Sequence, residues 1–105
     1  MSGMKNIASA AEFEEVVKNN KLVLVDFYAT WCGPCKLVVP LLQQLACDNP
    51  HIFFARIDID EVSQIAEKYH VKSLPTIVVI KNGQEVKRAS GVSLRQIELM
   101  VGTFA

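Results

Sequence analysis

A chain of 105 residues, half of them hydrophobic, is long enough to bury one core without a metal or a set of disulfides. Its 11 Lys+Arg balance 11 Asp+Glu without any block of like charge, which argues against a nucleic-acid partner and against a polybasic membrane contact. No apolar stretch reaches membrane-spanning length, and no apolar h-region follows Met1–Lys5, so neither a membrane anchor nor a targeting segment is expected. Three cysteines, an odd number, suit a reducing, cytoplasmic setting better than a secreted disulfide framework.

Met4 to Ile7 can form a short edge strand. Ser9 and Glu12 make a capping box that opens a helix to about Asn19, with Phe13, Val16 and Val17 on its apolar face. Leu22 to Tyr28 is a nearly continuous apolar run, as expected of a central strand covered on both faces. Pro34 to about Asp48 reads as one helix that starts on a proline, with a kink at Pro40 where an internal hydrogen bond is lost.

Ile52 to Ile59 reads as a second inner strand, and Asp60 is placed to cap a short helix ending at Tyr69. Thr76 to Lys81 and Glu85 to Ala89 flank Asn82-Gly83, a strong hairpin signal because both turn residues tolerate positive φ. Ser93 with Gln96 opens a last helix to about Phe104. The order βαβαβαββα predicts one α/β domain over 1–105, with parallel strands early and an antiparallel hairpin at the close.

Cys32 and Cys35 are separated by Gly33-Pro34. A disulfide over so small a loop contributes only roughly 2 kcal/mol by chain entropy and ties nothing remote together. Its position favours reactivity instead. The pair follows a buried strand and opens a helix, where unpaired N–H groups and the dipole favour an anion, and Lys36 adds a positive charge. Cys35, one turn further in, is suited to resolve a mixed disulfide.

Zinc is the competing use, since Cys32, Cys35, Cys47 and His51 read as C-x2-C-x11-C-x3-H. Leu37, Val38, Leu41, Leu42 and Leu45 make the intervening stretch an amphipathic helix. It would carry Cys47 about 18 Å along the axis from Cys35, too far for ligands of one ion. No metal is therefore expected. Cys47 reads as an inert helix thiol, His51 and His70 as surface residues, and Met4 and Met100 as packing.

The run Asp26-Phe27-Tyr28-Ala29-Thr30-Trp31-Cys32-Gly33-Pro34-Cys35-Lys36, followed by Pro40, Leu74-Pro75-Thr76, Lys81-Asn82-Gly83 and Gly91, resembles the thioredoxin family over essentially the whole chain. The resemblance implies a thioredoxin fold, a central mixed sheet of about five strands flanked by four helices. It also implies a Cys32–Cys35 redox disulfide, no bound cofactor, and electrons supplied by a separate thioredoxin reductase. Disulfide-containing proteins are the implied substrates.

Asp26 reads either as a solvated strand-end acid or as a buried proton acceptor for Cys35, and the resemblance favours the second. Arg56 falls where the family often has a basic residue near that acid; the other reading is an exposed strand charge. Gly33, Pro34 and Lys36 join it as residues tuning the redox potential. X–Pro bonds are cis in only about 5–6% of cases, yet the resemblance implies a cis Leu74–Pro75 bond facing the dithiol. Residue 74 would then offer backbone groups to an extended peptide.

Trp31, Leu74, Pro75, Thr76, Gly91 and Val92 complete the expected substrate surface, with Gly91 read either as allowing close backbone approach at a groove or as a simple turn glycine. A protein-disulfide reductase that sustains cell redox homeostasis is the first expectation. An oxidase or isomerase is disfavoured because Gly-Pro, not a His, lies between the cysteines. A purely scaffolding role is disfavoured by retention of both thiols and Asp26. A monomer is expected, with a weak or oxidation-linked dimer left open.

Overall fold

A computed structural model describes residues 3–105, so Met1 and Ser2, which open the stretch read above for targeting, lie outside it. The elements are β1 (Lys5–Ile7), α1 (Ala10–Asn19), β2 (Leu22–Tyr28), a 3-10 turn (Pro34–Lys36), α2 (Val39–Asp48) and β3 (Phe53–Asp58). They continue with α3 (Ser63–Lys68), β4 (Thr76–Lys81), β5 (Gln84–Ser90) and α4 (Leu94–Gly102). The expected order βαβαβαββα is the observed one.

The five strands form one sheet in the order β1-β3-β2-β4-β5. β3 pairs parallel with both β1 and β2, whereas β4 runs antiparallel to β2 and to β5. β2 lies at the centre, which explains its unbroken apolar sequence: side chains alternate between two covered faces. Val23, Val25 and Phe27 pack with Phe13 and Val16 of α1 and Ile65 of α3. Leu24 packs on the other face with Val38, with Leu42 of α2 and with Ile97 and Met100 of α4.

Local chemistry accounts for most boundaries. Ser9 and Ser93 each accept the N–H of the residue three positions on, at 3.1 and 3.2 Å. The Glu12 carboxylate reaches back one residue further than a capping box requires, accepting the Ala8 N–H at 2.7 Å. Asn82 and Gly83 carry φ of 51° and 82°, the hairpin turn expected of them.

Two expectations are corrected. The segment from Pro34 to Asp48 is not one kinked helix but a 3-10 turn and a separate α-helix. Pro40 has no N–H to offer Lys36, so i→i+3 bonds carry the chain to Leu37 and the i→i+4 ladder starts only with Leu42 donating to Val38. Asp60 does not cap α3, which starts at Ser63 after Val62. Its carboxylate is engaged by Trp31 instead, and its own N–H donates to Asp58.

Candidate active site

The C-terminal end of β2 delivers the dithiol. After Tyr28 the chain turns, with Cys32 donating its N–H to Ala29, and enters the 3-10 turn that contains Cys35. The two cysteines form a disulfide with Cα atoms 5.4 Å apart. Cys32 retains 6% of its surface and Cys35 only 1%, so Cys32 is the sulfur a partner reaches first. The Cys35 backbone N–H donates to the Cys32 Sγ at 3.2 Å, aiming a dipole at the sulfur that would carry negative charge on reduction. Lys36 and Gly33 are exposed beside the pair.

Cys32 opens onto a groove of about 470 Å³, which Trp31, Gly33, Pro34 and Leu74 line together with Ile59, Val71 and Lys72. Trp31 is 70% exposed, and its indole N–H donates to the Asp60 carboxylate at 2.9 Å, which fixes the ring at the rim. Ile59, Val71, Lys72 and Asp60 were absent from the expected site. They come from loops distant in sequence from the dithiol, and no local motif marks them.

The Leu74–Pro75 peptide bond is cis, as the family resemblance implies. Pro75 is buried and does not line the groove, and its carbonyl accepts the Gly91 N–H at 2.9 Å. Gly91 has φ +87°, and a Cβ there would meet nothing within 4 Å. The positive φ is a left-handed backbone conformation that glycine adopts freely, and the space where a side chain would project is open. Val92 next to it is 40% exposed. Thr76 does not belong to the contact surface: it is buried, paired on both sides within the sheet, and its hydroxyl donates to the Ser73 carbonyl.

Asp26 is fully buried in the middle of β2. By strand alternation it shares a sheet face with Leu24 and Tyr28. Leu24 packs under α2, and Tyr28 packs against the cluster of Ala29, Cys32 and Cys35, so the acid lies beneath the dithiol. Burial pushes its carboxyl up to about 6, against the opposing pull of Arg56. Arg56, its cross-strand partner on β3, donates Nε–H to Asp26 Oδ2 at 3.0 Å, while Oδ1 takes no hydrogen bond from the described residues. The solvated-acid and exposed-charge readings of these two residues thus give way to an ion pair between a buried carboxylate and a half-buried guanidinium.

Cys47 is exposed on α2, His51 bonds the Phe104 carbonyl at 2.7 Å, and the other two sulfurs are committed to each other. The four residues of the zinc spacing do not converge. Among the described residues there is no group of three potential metal ligands.

A disulfide between cysteines of unequal exposure, set above a buried acid at the end of a central strand, defines a thiol–disulfide oxidoreductase. The Thioredoxin family model matches residues 5–101. The chain is 38% identical over 97 residues to thioredoxin-1 of Saccharomyces cerevisiae, covering 92% of this chain and 94% of the relative. It superposes on Plasmodium falciparum thioredoxin with a TM-score of 0.94 at 36% identity, covering 97% of this chain and 100% of that one. A further neighbour comes from a structure concerned with thiol resolution in yeast mitochondrial 1-Cys peroxiredoxin via glutathione/thioredoxin systems. There the TM-score is 0.89 at 33% identity, covering 95% of this chain and 94% of that chain. The chain belongs to the thioredoxin family and is a dithiol–disulfide oxidoreductase.

Proposed function

We propose that this oxidoreductase is a general protein-disulfide reductase in which Cys32 attacks and Cys35 resolves. The carrying observation is the asymmetry of the pair: Cys32 faces the groove and accepts the Cys35 N–H, while Cys35 lies beneath it. In the reduced protein the Cys32 thiolate attacks one client sulfur, the S–S bond of the client breaks, and its other sulfur leaves as a thiolate. Cys35 loses its proton to Asp26 and attacks the Cys32 sulfur. The Cys32–Cys35 disulfide forms, the second client thiolate departs, and two electrons have passed to the client.

Trp31 and Leu74 frame the client, and the apolar groove favours disulfides flanked by apolar side chains. The yeast neighbour's peroxiredoxin context supports a protein client. A thioredoxin reductase, drawing on NADPH or ferredoxin electrons, returns the pair to the dithiol, so no bound cofactor is required. We place the reaction in the cytoplasm, as one step of electron transport sustaining redox homeostasis, with residues 1–105 as one catalytic domain.

The test is reduction of insulin disulfides with dithiothreitol as electron donor, compared with Cys35→Ser. The wild type should turn over, and Cys35→Ser should stop at a mixed disulfide through Cys32. Failure of Cys35→Ser to capture any insulin chain would overturn the order of attack. A reduction potential in the oxidising range would favour an oxidase.

A further inference from the structure

Asp26 and Arg56 are joined by one hydrogen bond where a guanidinium and a carboxylate can make two. The second carboxylate oxygen, Oδ1, is buried and takes no hydrogen bond from the described residues. On its other side the guanidinium meets an aromatic ring. The Arg56 Cζ sits 3.8 Å from the centroid of the Tyr28 ring, flat-stacking range for a cation on an aromatic face. Tyr28 lies on β2 two residues beyond Asp26, so the acid and the ring project from the same sheet face. Arg56 reaches them from β3, in register with Asp26.

We propose that Tyr28 is a positioning residue for the dithiol chemistry: its ring holds the Arg56 guanidinium so that Asp26 keeps a counter-charge on Oδ2 and an open accepting oxygen at Oδ1. The inference deepens the proposed role of Asp26 in exchange and rests on it. An Arg side chain has many rotamers, and this one retains 20% of its surface. Without the ring, water competes for the guanidinium and the Asp26 charge loses its counter-ion. The remaining neighbours do not replace it. Ile77 on β4 and Val38 and Leu42 on the helical side are apolar, and Cys35 is uncharged as a disulfide. Asp58, next on the same face of β3, carries the wrong sign and accepts the Asp60 N–H.

The experiment follows the Asp26 carboxyl directly, by carbon-13 NMR titration of the oxidised protein, for Tyr28→Leu and Tyr28→Phe. Tyr28→Leu should raise the Asp26 midpoint by about half a pH unit or more, because the charged acid loses a held cation. Tyr28→Phe, which keeps the ring, should leave the midpoint in place. In an Arg56→Gln background Tyr28→Leu should add nothing, since the ring acts only through the cation. If Tyr28→Leu does not fold, Tyr28→Met makes the same comparison. An unmoved midpoint in Tyr28→Leu, an equal rise in Tyr28→Phe, or an undiminished rise in the Arg56→Gln background would each overturn the proposal. The titration does not depend on turnover, so failure of the insulin assay is a separate outcome from failure here.

Discussion

Trp31 and Asp60, 29 residues apart, are joined by an indole N–H to carboxylate bond of 2.9 Å that holds an exposed ring at the edge of the groove beside Cys32. The ring's apolar area is costly to leave in water, and the bond restricts it to one place where a client can cover it. Asp60 therefore matters to recognition without touching the sulfurs.

Asp60→Ala is expected to raise the KM for a protein disulfide by about 2- to 10-fold, the value of one hydrogen bond, with kcat little changed. Reduction of a small aromatic disulfide, which covers less of the ring, should respond less. Trp31 is the only tryptophan, so its fluorescence anisotropy reports the loosened ring directly. Unchanged anisotropy would show that the bond does not hold the indole.

Asp26 couples the site to stability. In the folded chain its carboxyl is pushed from 3.8 up to about 6, chiefly by burial, so the native state holds this proton more tightly than the unfolded state. Stability from this group is then full below about pH 4 and falls as pH rises towards about 6. The gap is worth about 3 kcal/mol at neutral pH. Asp26→Asn keeps the shape and an acceptor for Arg56 but carries no charge. It should out-stabilise the wild type near pH 8 by up to about 3 kcal/mol and lose that advantage near pH 4. Denaturant midpoints that differ equally at both pH values would remove the buried charge as the cause.

Gly91 carries φ +87° with open space where a Cβ would project. Gly91→Ala should therefore cost about 1–2 kcal/mol through backbone strain alone, without a packing defect. Gly91→Asn should cost less, because asparagine tolerates the left-handed region better. Urea midpoints for the two variants check the order. If Gly91→Ala and Gly91→Asn lose the same amount, the positive φ is not what the position demands.

What could be read in the sequence was local. The caps at Ser9 and Ser93 and the turn at Asn82-Gly83 signal themselves within four residues, and the unbroken run of β2 marks a strand covered twice. The cysteine pair was also legible, with the more buried position of Cys35. The Asp26–Arg56 bond spans 30 residues and depends on the register of two strands, which no local pattern states. The groove contributions of Ile59, Val71 and Lys72 likewise arise from loops brought together by the sheet. Asp60 looked like a helix cap because its neighbours in sequence suit that role, and only the fold shows the indole that takes its carboxylate.

Pro40 marks where local reading and fold part company. Leu37 and Val38 already have helical dihedrals, φ −69°, ψ −26° and φ −88°, ψ −15°, so the missing N–H at position 40 is what separates the 3-10 turn from α2. Pro40→Ala restores a donor for the Lys36 carbonyl, worth about 1 kcal/mol. It also frees the unfolded chain, which costs about 0.4–1 kcal/mol. The two nearly cancel, so global stability should change by less than about 1 kcal/mol. The structural consequence should be plain nonetheless: α2 should extend towards Cys35, and the new amide at position 40 should exchange slowly with solvent. Rapid exchange at that amide would mean that packing of Cys35 and Val38 in the core, not the proline, holds the dithiol turn in its 3-10 form.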